Sequence, residues 1–257
     1  MMEIWHMSGA GNDFAVADVR GLKPDLSALA LALCKHLGAD GFLAVDGAED
    51  ADFRLHFYNS DGSRGEMCGN GARCVCRFAY DKGIAGDVMT VQTDAGPITA
   101  WRVSEDRYRV RLNNPGLMDP TRKENAAYVE LGDPGIPHVL VEKKGLSWDQ
   151  AEALRPLGKA LRYDPAFPKG ANVTFFDLRG AEATVLTYER GVEDYTLACG
   201  TGCGSLACLL YSQGRLPGGK LTAHNKGGIL KLTVEGDQEI SALYLEGPAT
   251  VLGKFAY

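Results

Sequence analysis

Apolar and polar residues alternate with a period of two along much of the chain, which predicts a protein rich in β-strands. Residues 53–59 ("FRLHFYN") and 107–112 ("RYRVRL") show this alternation, and turn-forming residues follow each of them. A helical period is found at residues 25–37 and 147–161, and in two helices that begin near Gly71 and Gly202. The pattern predicts a mixed α/β (α+β) protein with few helices.

Two of these helices lie in matching surroundings. "MCGNGARCVC" and "ACGTGCGSLAC" each place a cysteine, Cys68 or Cys199, directly before Gly-x-Gly and an apolar helix. Strand and turn patterns follow in the same order after both helices, which indicates a duplication. We expect two pseudo-symmetric halves, residues 1–116 and 117–249, with residues 250–257 completing the first half. A cleft between such halves would bring the two cysteines face to face.

Composition and charge narrow the classes of partner. The chain has 257 residues, 45% hydrophobic and 23% charged, and a net charge of −6 without runs of Lys or Arg. This is typical of a soluble globular protein and argues against binding to a nucleic-acid backbone. The sequence shows no signal peptide and no apolar stretch long enough to span a membrane, so we expect no membrane partner and a cytoplasmic location. Seven cysteines in such a compartment argue against a disulfide scaffold.

The spacing of the cysteines does not match a zinc site, since no Cys-x2-Cys pair is present. Five of them are interpreted as small packing residues, because they lie within apolar helices: Cys34, Cys74, Cys76, Cys203 and Cys208. Cys68 and Cys199 instead precede a helix, where the helix dipole favours anions and is expected to lower the pKa of a thiol. The free N–H groups at two such helix starts could bind a small anion such as a carboxylate.

Two thiols on opposite faces of a carbon atom could invert a stereocentre. A thiolate would remove the proton from one face and a thiol would return a proton to the other. Backbone N–H groups on the carboxylate would stabilise the carbanion, and a dry cleft would strengthen that effect. Thiol–disulfide exchange or peroxidase chemistry is an alternative, but their common Cys-x-x-Cys form is absent.

Four motifs in order along the chain resemble those of diaminopimelate epimerase, a family of cofactor-independent amino-acid racemases. They are "MSGAGNDF" (7–14), "FYNSDGSRGEMCGNGARC" (57–74), "ANVTFF" (171–176) and "YERGVEDYTLACGTGC" (188–203). The resemblance implies two related domains, each a β-barrel-like sheet wrapped around a central helix, with the active site between them. It also implies a homodimer, no metal and no cofactor, and interconversion of LL- and meso-2,6-diaminopimelate in lysine and peptidoglycan synthesis.

The resemblance assigns roles to particular residues. Cys68 and Cys199 would be the acid/base pair, and His138 and Glu189 would tune the thiols. The α-carboxylate would be held by backbone N–H groups of Gly69, Asn70, Gly200 and Thr201. The rest of the substrate would be held by Asn12, Asn59, Asn172, Glu189 and Arg190. Arg190 suits the distal carboxylate, because a guanidinium can bind it through two parallel hydrogen bonds.

Three positions depart from the family pattern. Ile136 takes the place of the Asn in the Gly-Asn-Pro-His motif that is frequent in the family. Gly41 lies where some members have Gln, and Tyr195 lies where an acidic residue is usual. Ile136 cannot replace the hydrogen bonds of an Asn, and Tyr195 is expected to reshape the mouth of the pocket. Two alternatives therefore stay open: a related racemase for another amino acid, such as histidine or a proline derivative, and a non-catalytic amino-acid-binding protein.

Overall fold

The computed structural model describes residues 2–65, 67–237 and 239–257. The strands are β1 (Glu3–Gly9), β2 (Asn12–Asp18), β3 (Gly41–Asp46), β4 (Phe53–Asn59), β5 (Arg64–Gly65), β6 (Val88–Thr93), β7 (Gly96–Arg102), β8 (Arg107–Leu112), β9 (Pro115–Lys123), β10 (Ala126–Gly132), β11 (Gly135–Glu142), β12 (Asn172–Arg179), β13 (Glu182–Glu189), β14 (Asp194–Tyr195), β15 (Lys220–Asn225), β16 (Gly228–Gly236), β17 (Ile240–Pro248) and β18 (Thr250–Ala256). The α-helices are α1 (Leu26–Leu37), α2 (Gly69–Asp81), α3 (Ala151–Arg162) and α4 (Gly200–Ser212). The predicted mixed α/β class is confirmed.

The chain divides into two compact units. Unit 1 comprises Met1–Arg111 and Glu246–Tyr257, and unit 2 comprises Leu112–Leu245. The C-terminal β18 pairs with β1 in unit 1, antiparallel, and β1 pairs with β2 on its other side. The domain ranges expected from the sequence lie a few residues from these boundaries, and their standing as functional domains stays a prediction.

The two units repeat one pattern of strand pairing. In unit 1, the hairpin β1–β2 is followed by a parallel β2–β3 pair, antiparallel β3–β4 and β4–β5 pairs, a parallel β4–β6 pair and antiparallel β6–β7. Unit 2 has the same sequence of pairings from the hairpin β10–β11 to antiparallel β15–β16. The helices also occupy matching places, since α1 and α3 follow the second strand, and α2 and α4 follow the short fifth strand. The predicted duplication is therefore confirmed at the level of fold.

A buried helix lies at the centre of each unit. Helix α2 contacts β1, β2, β3 and β7, and helix α4 contacts β9, β10, β11, β12, β15 and β16. Each has thirteen residues, ten of them buried, and both sequences contain several small residues of the types Gly, Ala and Cys. Small residues let the surrounding strands approach the helix backbone closely.

The first helix begins at a local capping signal. Asp25 caps α1, with its carboxylate accepting from the Ala28 N–H at 3.0 Å. The helix predicted over 147–161 is instead a 3-10 turn, Trp148–Gln150, followed by α3. In the described part of the chain, none of the helices has the length and apolar character needed to cross a membrane.

Candidate active site

Cys68 occupies the N-cap position of α2, immediately before its first residue. Its backbone is extended (φ −133°, ψ 120°), and its carbonyl accepts the first helical hydrogen bond, from the Ala72 N–H at 2.7 Å. The side chain makes no capping bond to the helix backbone and is partly exposed. The helix was expected to open near Gly71, and it begins two residues earlier, at Gly69. The thiol therefore lies at the end of the helix where the dipole is positive.

Cys199 has the same position at the start of α4. Its backbone is extended (φ −112°, ψ 106°), and the Cys203 N–H bonds its carbonyl at 3.0 Å. The Sγ atom lies 3.6 Å from the Thr201 hydroxyl oxygen. The two helix starts thus repeat one local geometry, with a Cys as cap and Gly as first helical residue.

The electrostatic surroundings of Cys199 differ from the expectation. Burial raises the pKa of the Cys199 thiol well above its ordinary value, and the nearby charge of Glu189 raises it further. The Gly202 N–H and the Thr201 hydroxyl act in the opposite direction, as expected of a helix start. They do not outweigh burial, since the residue is only 6% exposed. Cys199 is therefore a neutral thiol at neutral pH, where a lowered pKa was expected.

The other cysteines are buried, and all seven are free thiols. Burial raises the pKa of Cys34 to about 11 and those of Cys74 and Cys208 to about 12. Cys203 donates to the Asn225 side-chain oxygen at 3.5 Å. These environments agree with packing positions in helices. Among the described residues, no group of three or more His, Cys, Asp or Glu is placed to hold a metal ion.

A chain of polar side chains supports the first turn of α2 in unit 1. The fully buried Arg73 donates to the Gly69 carbonyl at 3.1 Å and to Oδ1 of Asn70 at 2.9 Å. Asn70 in turn donates to Oδ1 of Asn12, whose amide donates to Asp40. Asn12 and Asn70, both candidate binding residues, are therefore brought together. Arg73 was not among the residues singled out from the sequence, although a charge next to the Gly-Asn-Gly motif at a helix start is a signal for such a role.

The β1–β2 turn approaches this helix start very closely. Ala10 and Gly11 both have positive φ angles, 57° and 90°, and for an alanine this conformation costs about 1 kcal/mol. A Cβ atom at Gly9 would lie 2.7 Å from the Asn70 carbonyl oxygen, so only glycine fits there. These constraints explain the small residues of the "SGAGND" motif and fix Asn12 beside Asn70.

Asn59 lies at the end of β4 and bonds within its own turn. Its amide donates to the Ser63 hydroxyl at 3.0 Å, and its backbone N–H bonds the Ser63 carbonyl at 2.8 Å. The structure thus gives Asn59 a turn-stabilising contact, and its role in substrate binding stays a prediction. The neighbouring Gly41 has no room for a side chain, because a Cβ would lie 2.8 Å from the ring of Phe57 and from the Tyr58 carbonyl oxygen.

His138 lies in β11 and is completely buried. Neither ring nitrogen has a hydrogen-bond partner among the described residues. Burial, with a smaller contribution from the charge of Arg190, lowers the pKa of His138 to about 3. The imidazole is therefore neutral at physiological pH and keeps an unused donor and acceptor.

The candidate residues at the ends of β12 and β13 form a second polar cluster. Asn172 donates to the Pro137 carbonyl at 3.2 Å and accepts from the Arg190 backbone N–H at 2.9 Å. The Arg190 side chain is exposed, and its guanidinium bonds the Lys169 carbonyl at 3.0 Å. Glu189 accepts a hydrogen bond from the Thr196 hydroxyl. Asn172 therefore holds the segment that carries Glu189 and Arg190.

Ile136 and Tyr195, the two departures from the family pattern that were expected to affect the pocket, have different surroundings. Ile136 is 37% exposed in the hairpin that leads to His138. Tyr195 instead packs its ring edge-on against Tyr188, with centroids 5.5 Å apart. Its hydroxyl oxygen would lie 3.2 Å from a Cβ at Gly158 of α3. Tyr195 thus packs between Tyr188 and α3, and its effect on the mouth of the pocket stays a prediction.

Comparisons with solved structures identify proteins that have a similar fold. The chain resembles a PhzF-family phenazine biosynthesis protein from Bacillus anthracis (TM-score 0.80, 14% identity, covering 99% of this chain and 98% of that one). It also resembles a hydroxyproline epimerase from Agrobacterium vitis (TM-score 0.71, 18% identity, covering 99% and 90%). At these identities the likeness shows the fold alone.

Comparisons with sequences are more specific. A model of the diaminopimelate epimerase family matches residues 4–116 and 134–252. The diaminopimelate epimerase of Chlorobaculum tepidum is 36% identical over 250 residues, covering 95% of this chain and 96% of the relative. Those of Archaeoglobus fulgidus and Campylobacter jejuni are 34% and 33% identical, covering 95% and 100% of this chain and 92% and 96% of the relatives.

The duplicated α/β fold and these relatives define the class, an isomerase of the amino-acid racemase and epimerase type. Within that class, the chain belongs to the diaminopimelate epimerase family. The resemblance described from the four sequence motifs is confirmed.

Proposed function

We propose that the protein is a diaminopimelate epimerase that interconverts LL- and meso-2,6-diaminopimelate by a two-base mechanism. One cysteine thiolate removes the α-proton, and the thiol of the other cysteine returns a proton to the opposite face. The observation that carries the proposal is that each unit of a duplicated fold places a cysteine as the cap of its buried central helix. The reaction needs neither a metal nor a cofactor.

The different surroundings of the two thiols suggest which cysteine is protonated in the resting enzyme. Cys199, with its raised pKa, is the proton donor of the resting enzyme, and Cys68 is the base. Glu189 raises the pKa of Cys199, so that this sulfur is a strong base once it has lost its proton. His138 is the second tuning group, because a neutral imidazole can accept a hydrogen bond from a thiol.

The remaining candidates are proposed to bind the substrate. The backbone N–H groups of Gly69, Asn70, Gly200 and Thr201 hold the α-carboxylate and stabilise the charge that develops on it. The distal end of the substrate is a second amino-acid group, and its ionic groups are proposed to bind Asn12, Asn59, Asn172, Glu189 and Arg190. Arg190 suits the distal carboxylate because its guanidinium is exposed.

Proton exchange in heavy water tests the mechanism. Incubation of LL-diaminopimelate with the protein should yield the meso isomer and place deuterium at the inverted α-carbon. Cys68→Ala and Cys199→Ala should each lower turnover by about a hundredfold or more, because each removes one acid/base group. Cys208→Ala, a buried position in α4, is the matched control and should stay active. Absence of exchange with the wild type, or normal turnover by Cys68→Ala, would refute the proposal.

A related racemase is the second candidate, favoured by the exposed apolar Ile136. An apolar residue at this turn offers no hydrogen bond to an ionic distal group. Turnover of diaminopimelate should therefore be compared with turnover of L-histidine and 4-hydroxy-L-proline. A higher kcat/KM for one of these monocarboxylic substrates would support the second candidate. Tight binding of an amino acid without any exchange of its α-proton would instead indicate a binding protein.

We also propose that the protein is cytoplasmic and forms a homodimer. Family membership supports both statements. Light scattering coupled to size-exclusion chromatography gives the mass in solution, and a mass of 27.6 kDa would mean a monomer.

A further inference from the structure

A lysine in unit 2 joins the segment of Arg190 to a buried carboxylate. Lys169 lies in the loop before β12, three residues ahead of Asn172. Its ammonium group lies 2.7 Å from Oε2 of Glu130, and its carbonyl accepts from the Arg190 guanidinium at 3.0 Å. The backbone carbonyl of Lys169 therefore holds the Arg190 guanidinium, and its side chain supplies a second positive charge, the ammonium group.

Glu130 is built to hold that ammonium group in one place. Its side chain is 9% exposed, and the Tyr128 hydroxyl donates to its other oxygen at 2.6 Å. Burial raises the pKa of Glu130, but the bonds from Lys169 and Tyr128 outweigh it and leave the pKa below the ordinary value. Glu130 is thus a carboxylate at neutral pH, with a fixed hydrogen bond on each oxygen.

The ion pair lies beside the β10–β11 turn, which Ile136 follows as the second residue of β11. A Cβ atom at Gly135 would lie 2.9 Å from Oε2 of Glu130, so the carboxylate is in contact with this turn. Ile136 has no polar side-chain atom, whereas the side chain of Lys169 is 55% exposed. Lys169 and Arg190 therefore present an exposed ammonium and an exposed guanidinium in this region.

We propose that Lys169 is a specificity-determining residue that binds the distal carboxylate of diaminopimelate together with Arg190, and that Glu130 positions it. The inference rests on the proposed function and adds a residue to it. An ammonium has three donors, of which Glu130 takes one, so two remain for a carboxylate.

Kinetics of Lys169→Met test the proposal. The contact is the same in the ground and transition states, so its loss should raise KM for diaminopimelate and leave kcat within about twofold. Loss of one charged hydrogen bond predicts an increase in KM of about ten- to a hundredfold. Lys169→Arg should restore most of the affinity, and Glu130→Gln should give a smaller increase. Lys159→Met, at an exposed position of α3, is the matched control.

The outcomes separate this inference from the proposed function. A wild-type protein that epimerises diaminopimelate, with equal KM values for Lys169→Met and Lys159→Met, overturns the role of Lys169 alone. A fall in kcat together with a lower melting temperature in Lys169→Met, without rescue by Lys169→Arg, would mean a structural role and also overturns it. A wild-type protein without any epimerisation of diaminopimelate overturns both proposals.

Discussion

At Cys199, local hydrogen bonds lower the pKa of the thiol, whereas burial and a nearby charge raise it. The helix start acts through two local groups, the Gly202 N–H and the Thr201 hydroxyl, and both favour the thiolate. Burial and the charge of Glu189 favour the thiol, and they prevail because a buried anion loses its hydration. The sequence identifies the local groups, but desolvation depends on every segment packed around the sulfur, so the direction of the shift needed the structure.

His138 should make the stability of the protein depend on pH. Its folded-state pKa of about 3 lies below the ordinary value, so the unfolded chain binds an extra proton between about pH 6.5 and pH 3. Its contribution to the free energy of unfolding is complete above the ordinary pKa. The contribution is lost as the pH falls, by up to about 1.4 kcal/mol per pH unit. Urea unfolding of the wild type and of His138→Leu between pH 7 and pH 4.5 measures it.

The comparison of variants isolates His138 from the paired carboxylates, which also lose stability in acid. His138→Leu should show a shallower loss of stability in acid than the wild type does. His36→Leu, at an exposed position of α1, should keep the wild-type dependence. Equal slopes for His138→Leu and the wild type would mean that His138 is not the group responsible.

Tyr195 shows why the role of one unusual residue could not be taken from the sequence. Its short distance along the chain from Cys199 suggested an effect on the pocket, and the structure adds that its ring packs on Tyr188 and towards Gly158 of α3. Neighbouring residues of a short strand point to opposite faces of a sheet, so proximity in sequence does not fix the direction of a side chain. Ile136, by contrast, is 37% exposed.

At the scale of elements, the glycines after the cysteines determine how closely the sheet approaches the helix. A Cβ at Gly202 would lie 2.8 Å from the Thr174 hydroxyl and 3.3 Å from Sγ of Cys199. Thr174 is itself bonded to Thr187 at 3.1 Å, so it has little freedom to move. The sequence predicted the helix and its cysteine, whereas this contact with β12 depends on tertiary packing.

Gly202→Ala should therefore displace the Cys199 thiol. We expect a decrease in kcat/KM of about tenfold or more, because small displacements of reacting groups slow the reaction strongly. We also expect the free energy of unfolding to fall by about 1–3 kcal/mol, because the added methyl group overpacks the core. Gly204→Ala in the same helix meets the side chains of Leu112, Leu131 and Leu243 at 3.1–3.3 Å. Steady-state kinetics and thermal unfolding of both variants provide the test.

The two variants make the same chemical change in one helix, and they differ in what the new methyl group meets. Gly204→Ala should lose a similar amount of stability and keep most of its activity. Equal losses of activity in the two variants would show that general overpacking, rather than contact with the cysteine, is responsible.

Most elements could be predicted from local patterns, because alternation and turn residues encode backbone conformation directly. The strands at 53–59 and 107–112 and the two cysteine-capped helices are examples. The region 147–161 was predicted less well, since its apolar period continues across the 3-10 turn that precedes α3. The contacts of Arg73 with the Pro248 carbonyl and of Lys169 with Glu130 could not be predicted, because these partners lie on distant segments.

At the scale of the whole molecule, unit 1 is built from both ends of the chain. Strand β18 pairs with β1, and Met2 and Tyr257 exchange two backbone hydrogen bonds of 2.8 Å. The Lys254 ammonium lies 3.5 Å from the centre of the Trp5 ring, and Phe255 packs against a buried apolar cluster. The support of β1 therefore depends on β18, a strand far from it along the chain.

Truncation after Ala249 should destabilise unit 1. Removal of β18 exposes the edge of β1 and deletes several ladder hydrogen bonds and the Phe255 contacts, so we expect a loss of about 3 kcal/mol or more. Hydrogen exchange of the amides in β1 and β2 should accelerate, and activity should be lost with the support of the turn at Gly9. Leu252→Ala, at a half-exposed site in β18, is the control.

Unchanged exchange in β1 after truncation would mean that the other strands of unit 1 suffice for its stability. Faster exchange spread evenly over both units would instead indicate that the chain unfolds as one body.

The sequence alone determined the duplicated order of elements, the cysteine at the start of each central helix and the family. These depend on local periodicity, turn chemistry and motif order, which are written along the chain. The tertiary structure decided that Cys199 is a neutral thiol and that Lys169 is paired with Glu130. It also buries His138 with no hydrogen-bond partner among residues 2–65, 67–237 and 239–257. Desolvation and ion pairing depend on the distance between segments far apart in sequence, so they exist only once the chain has folded.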